Sequence, residues 1–100
     1  MDNLNEQRAI GDIYLVALLL SHRIRPVRVE RKHPKYQRFV FNEHLNTKFW
    51  VMEDGIPEQI ALDLSDLETY YLSRKVMFLG TYPECLKEVK ASLQSALSVE

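Results

Sequence analysis

The sequence predicts a small single α+β domain: an antiparallel β-hairpin or short sheet packed by about three helices, in the order α-β-β-(β)-α-(β)-α. Three observations carry that prediction. The apolar run Ile13–Leu20 ends in Ala17, Leu18, Leu19 and Leu20, residues that favour helix over strand. Period-two alternation on both sides of a polar, proline-bearing turn marks a hairpin between 26 and 42. Two Ser/Thr-x-x-Glu boxes, Ser65–Glu68 and Thr81–Glu84, open two later helices. One hundred residues make one domain over 1–100, with 1–10 read as a flexible lead-in.

The first helix is expected over 12–22. Gly11 or Asp12 can cap it, and an acid there suits the positive end of the helix dipole. Its surface is apolar nearly all round, so it should be central. Pro26 prevents any helical continuation. The hairpin follows, with strands at 26–32 and 36–42. Val27, Val29, Phe39 and Phe41 would face the helix, and Arg28, Glu30, Arg38 and Tyr36 would face outward. Lys32, His33, Pro34 and Lys35 make the turn. Residues 48–52 could add a third strand, closed by the Asp54-Gly55 turn, after which Pro57 keeps the chain irregular. A second helix is expected over 65–74, burying Leu64, Leu67, Tyr71 and Leu72. Residues 76–79, VMFL, read as a short strand or extended link, and Gly80 breaks the chain. The last helix, 83–97, starts with Pro83 in its first turn and carries a stripe of Leu86, Val89, Leu93 and Leu97.

Several of these residues form a pattern seen elsewhere. Asp12-x-Tyr14-Leu15 with Leu18-Leu19, then Val29-x-Arg31 and Phe39-Val40-Phe41, then Tyr71-Leu72, Tyr82, Leu86, Lys90 and Leu93 together span most of 11–94. The pattern resembles an uncharacterised family of short proteins from bacteria, phages and mobile elements, a domain of unknown function. The resemblance implies a small α+β module and supplies no catalytic residues. This sequence departs from the family in two places. His22 and Arg23 stand where the family usually has a glycine, and 43–62 is an insertion relative to its pattern.

The chain carries a formal charge of −1 at neutral pH, but unevenly. Residues 21–50 sum to +6, from eight basic residues against Glu30 and Glu43, while 51–100 sum to −5, from nine acids against four bases. The acidic start is unlike a signal peptide, and the longest apolar run is far short of the roughly 20 residues a membrane span needs. A single cysteine, Cys85, fits a reducing compartment. These features point to the cytoplasm, with no membrane association.

Enzyme chemistry finds little support. His22, His33, His44 and Cys85 show no metal-ligand spacing, and no phosphate-cradling glycine loop or nucleophile elbow occurs. Cys85 would sit in the first turn of a helix, where a thiol can be activated, but no histidine is placed near it by spacing. The acids between Glu53 and Glu68 are explained by a turn and a helix start. No catalytic residue, cofactor or metal is therefore expected.

What remains is binding. Arg25, Arg28, Lys32, Lys35 and Arg38, with Tyr36, form a basic hairpin. Phe49, Trp50 and Met52 form an aromatic segment apolar on both faces, so that one face is a candidate for exposure. The favoured reading is a non-enzymatic binding module, of phage or mobile-element type, that docks on a protein partner through both features. The alternative is nucleic-acid binding, in which the hairpin 23–38 contacts phosphates and Tyr36 stacks on a base. A sequence pI near 6.3 weighs against that alternative. A homodimer contact on the first helix is a further possibility.

Overall fold

The computed structural model describes residues 6–33 and 36–98; at 32, 33, 36 and 93–98 only the backbone course is described. The elements run β1 (Gln7–Ile10), α1 (Ile13–Ser21), β2 (Arg28–His33), β3 (Tyr36–Asn42), β4 (Thr47–Glu53), β5 (Ile56–Leu62), α2 (Leu64–Leu72) and α3 (Tyr82–Ser98). They form an α+β domain with three helices and two antiparallel sheets, ordered β1-β3-β2 and β4-β5. No helix among the described residues is long and apolar enough to cross a membrane.

Helix α1 is the centre. Asp12 caps it, its Oδ1 accepting from the N–H of Tyr14 at 2.9 Å and of Leu15 at 3.4 Å. Leu15 through Leu19 are all buried, joined in one core by Ile10, Phe39 and Phe41 from the first sheet, Phe49, Val51 and Leu62 from the second, and Leu64, Leu67 and Val89 from the other helices. Most of the apolar surface of α1 is thus covered by its own chain, with Tyr14 left exposed. Emptying such a site costs about 3–5 kcal/mol for a phenylalanine truncated to alanine, so Phe41 and Phe49, both fully buried, anchor the two sheets to the helix.

Helix α1 ends in a left-handed residue. Arg23 has φ of 64°. Its N–H donates to the Leu20 carbonyl at 2.8 Å, and the N–H of Ile24 donates to the Leu19 carbonyl at 3.1 Å. That is the Schellman pair of bonds, with Ile24 packed on the core as its hydrophobic partner. Glycine suits the position best. Helix α2 ends the same way at Arg74, φ 60°.

The hairpin forms as expected, with Arg28 opposite Val40, Val29 opposite Phe39 and Glu30 opposite Arg38, and an irregularity between Glu30 and His33. Val27 is the exception among its apolar residues. It lies just before β2, 44% exposed rather than on the helix.

Four expectations are corrected. The lead-in is partly ordered: Gln7–Ile10 form β1, pairing with Phe39–Asn42. Residues 48–52 do not extend the hairpin's sheet, because β4 and β5 form a separate two-stranded sheet. The chain after Asp54-Gly55 is regular. Both turn residues have positive φ, 51° and 76°, the geometry of a tight two-residue hairpin loop. Pro57 is tolerated in β5 because it sits opposite Met52, one pair beyond the bonded pair Glu53–Ile56. Its nitrogen then points to the open edge, where no N–H is required. Most of residues 43–62 thus form a hairpin of their own.

The fourth correction concerns the start of α2. Ser65 and Glu68 do not cap each other. The N–H of Ser65 donates to Glu43 Oε2 at 2.9 Å, and the N–H of Leu64 donates to the Glu43 carbonyl at 2.8 Å. Glu68 instead accepts from Arg8 Nη2 at 2.6 Å. Arg8 also lies 3.7 Å from Glu43 Oε1, so one guanidinium on β1 holds two carboxylates and ties α2 to the first sheet. Hydrogen bonding to Glu68, opposed by burial, raises the Arg8 pKa.

Candidate binding surfaces

Two outward faces hold Arg28, Arg38, Trp50 and Met52 of the residues that the sequence singled out. They belong to different sheets, and each turns away from the common core.

On the first sheet, alternation places Gln7, Ala9, Arg28, Glu30, Arg38, Val40 and Asn42 on the outer side. Arg28 does not simply project into solvent. From β2, its Nη1 donates to Gln7 Oε1 on β1 at 2.8 Å, and its Nη2 lies 3.4 Å from Glu30 Oε2. Because β3 runs between β2 and β1, the Arg28 side chain crosses over the central strand. Its stem accounts for an otherwise odd fact: Val40 points outward yet is only 2% exposed. One of the expected free cations is thus a strap, partly neutralised by the chain's own glutamate, although its side chain remains 55% exposed. Arg38 is exposed, with Glu30 as its cross-strand neighbour. Arg25 is exposed in the link before β2, close enough to Cys85 for its charge to be felt there. Lys35 lies outside the described residues, as do the side chains of Lys32 and Tyr36.

On the second sheet, the aromatic segment divides. Phe49 is fully buried, its ring 4.5 Å from that of His22, so it belongs to the core and cannot meet a partner. Trp50 and Met52 point the other way. Trp50 is 41% exposed and Met52 half-buried. The 76–79 link extends this face. Val76 bridges Val51, the N–H of Met77 donates to the Trp50 carbonyl at 2.9 Å, and the N–H of Met52 donates to the Lys75 carbonyl at 2.7 Å. Met77 is thereby set beside Trp50 on the outer side, and Val76 beside Val51 on the inner. The result is an outward face of Trp50, Met52 and Met77, with Pro57 next to Met52.

The sequence reading missed Met77, and it missed Phe78, Leu72 and Tyr14, all large and exposed. The signal for the first two was VMFL itself: four apolar residues in a segment too short to bury both sides. Phe78 packs against Tyr82 with ring centroids 4.5 Å apart, and Tyr82 Oη reaches the Tyr14 carbonyl at 3.4 Å. Leu72 was expected to be buried and is 70% exposed, since it falls past the face that Leu64 and Leu67 bury.

No family model, curated protein or solved structure matches the chain.

The remaining polar groups are occupied locally. Lys75 Nζ bonds Glu53 at 3.1 Å, and His44 Nδ1 lies 3.2 Å from Asp63. Three of the acids of 53–68, Glu53, Asp63 and Glu68, thus face separate partners, and among the described residues no three His, Cys, Asp or Glu converge. Cys85 is half-buried, and burial, with Glu88 and Glu84 nearby, pushes its thiol pKa up against the pull of Arg25.

Proposed function

We propose that this chain is a non-enzymatic, cytoplasmic binding module that docks on a protein partner through the outer face of the β4–β5 sheet, with Trp50 as its anchor. The observation that carries the reading is the outward set Trp50, Met52 and Met77, on a sheet whose inner face is already filled by Phe49 and Val51. Exposed tryptophan and methionine on a rigid strand are what interface hot spots use. The basic hairpin face contributes orientation, Arg38 and Arg25 supplying long-range attraction to an acidic partner. A lone cysteine supports the reducing compartment. The family resemblance supports a phage or mobile-element setting, in which the module is an accessory or inhibitory protein of a larger assembly.

The pairing of Arg28 with Glu30 and Gln7 favours the protein partner over nucleic acid, because it lowers the free positive charge that phosphates would meet. The test compares three proteins by pull-down and by retention on DNA and RNA at low salt. Trp50→Ala is expected to lose the partner, with at least about a thirtyfold loss of affinity at a true hot spot. The double variant Arg28→Glu/Arg38→Glu is expected to weaken association modestly. Salt-sensitive retention on DNA or RNA that this double variant abolishes, with partner recovery unchanged in Trp50→Ala, would overturn the proposal in favour of nucleic acid.

A further inference from the structure

The 76–78 segment has a second side, away from Trp50, and a hollow of about 520 Å³ opens there between the start of α1 and the end of α2. Its walls are Asp12, Tyr71, Leu72, Arg74, Val76 and Phe78. Three features of it point to one kind of occupant. First, the wall is mainly apolar and aromatic, and Leu72 and Phe78 are both more than half exposed at its edge. Second, its charges are unequal in availability. Asp12 spends Oδ1 on capping α1 and Oδ2 on accepting the Tyr71 hydroxyl at 2.9 Å. Arg74 is exposed, its backbone is fixed by the N–H bonds of Arg74 and Lys75 to the carbonyls of Tyr71 and Tyr70, and no carboxylate among the described residues pairs with it. Asp12 keeps its negative charge but has both oxygens engaged, so the charged group left open to a ligand at the hollow is Arg74. Third, the strand edge beside it is open. The Lys75 carbonyl and the Met77 N–H bond β4, while the backbone N–H and C=O of Val76 and Phe78 have no backbone partner among the described residues.

An apolar hollow, a fixed cation and an unpaired strand edge are together the requirements for recognising an extended peptide. Main-chain bonds to the edge hold the strand, alternate side chains enter the hollow, and a neighbouring acid meets the arginine. We propose that this hollow binds an extended segment of a partner protein that carries an apolar anchor with an aspartate or glutamate one or two positions away. The segment adds as a strand along Val76–Phe78, its anchor packs against Leu72 and Phe78, and its carboxylate pairs with Arg74. This site lies on the opposite side of the 76–78 segment from Trp50, so it stands or falls separately from the outer face of the β4–β5 sheet.

The test pans a random dodecapeptide display library on the immobilised full chain, then measures the consensus peptide in solution by fluorescence anisotropy. Enrichment of an apolar residue with a nearby acid is expected. Arg74→Glu should weaken the consensus peptide by at least about tenfold, the scale of a charge-assisted pair, and panning on that variant should select basic residues in its place. The backbone contribution is tested on the ligand, so that protein folding is untouched: N-methylation of alternate amides should abolish binding at one phase and spare it at the other. No enriched motif, a motif equally well bound by Arg74→Glu, or indifference to N-methylation at every position would each overturn the proposal. Peptides lost on Trp50→Ala but kept on Arg74→Glu would overturn this site while supporting the other face.

Discussion

Replacing Gln37 by methionine is expected to stabilise the protein. Gln37 lies in β3 and by alternation shares the inner side with Phe39 and Phe41; it is only 4% exposed, and among the described residues neither its Oε1 nor its Nε2 has a hydrogen-bond partner. A buried amide without partners carries its full desolvation penalty, about 1–3 kcal/mol. Methionine has nearly the same length, is unbranched and removes both polar atoms, so it can occupy the space without opening a cavity. The expected gain is about 1–3 kcal/mol. For a domain of this size each 1 kcal/mol shifts the melting temperature by roughly 4–8 °C, so a rise of about 4–24 °C is predicted. Urea unfolding followed by circular dichroism should show a higher midpoint at an unchanged slope. A midpoint that is unchanged or lower, with native secondary structure intact, would mean that the amide is satisfied after all and would refute the reasoning.

Other perturbations test other joints of the fold. Arg23→Gly should stabilise by about 0.5–1 kcal/mol, since the left-handed backbone costs a non-glycine residue about 1–2 kcal/mol and the added freedom of the unfolded chain returns part of that; chemical denaturation will show it. Arg8→Ala should destabilise by about 1–3 kcal/mol by leaving Glu43 and Glu68 without their shared cation, and Glu43→Gln in the same background should recover part of the loss. Stability should also fall at alkaline pH. Burial comes first in raising the pKa of Tyr71, Tyr82 and Cys85, all neutral when protonated. Their contribution is complete below the unfolded-state values, about 8.5 for a thiol and about 10 for a phenol, and is lost as pH climbs above them. Urea midpoints measured between pH 7 and 11 should decline from about pH 9 upward, and Tyr71→Phe should flatten that decline.

Much of the fold was legible in the sequence because its strongest elements are local. The apolar run of α1, the alternation of Val29, Phe39 and Phe41, the Asp54-Gly55 turn and the Leu86 and Val89 part of the α3 stripe each follow from period and propensity, the side chains of Leu93 and Leu97 lying outside the described residues. What was not legible depends on distant partners. The four residues of β1 have little strand character of their own and are made a strand by Phe39–Asn42. Pro57 argues against a strand unless the pairing phase is known. Ser65 and Glu68 have the spacing of a capping box, but Glu43 and Arg8, remote in sequence, bind them more favourably. The candidate surface shows the same division. Opposite faces for Phe49 and Trp50 follow from alternation alone, whereas the docking of Met77 beside Trp50 and the reach of Arg28 over Val40 require the order of strands in space.

The most direct test of the proposed docking face uses Trp50, the only tryptophan in the chain. In dilute protein its emission should be red-shifted and readily quenched by acrylamide. Adding a partner should shift the emission to the blue and shield it from quencher, with no shift for a partner held elsewhere. Blue-shifted, quencher-resistant emission that is independent of concentration in the protein alone would mean that the fold itself covers Trp50. Emission unchanged in a saturated partner complex would mean that docking takes place on another surface. Either result would contradict the proposed face.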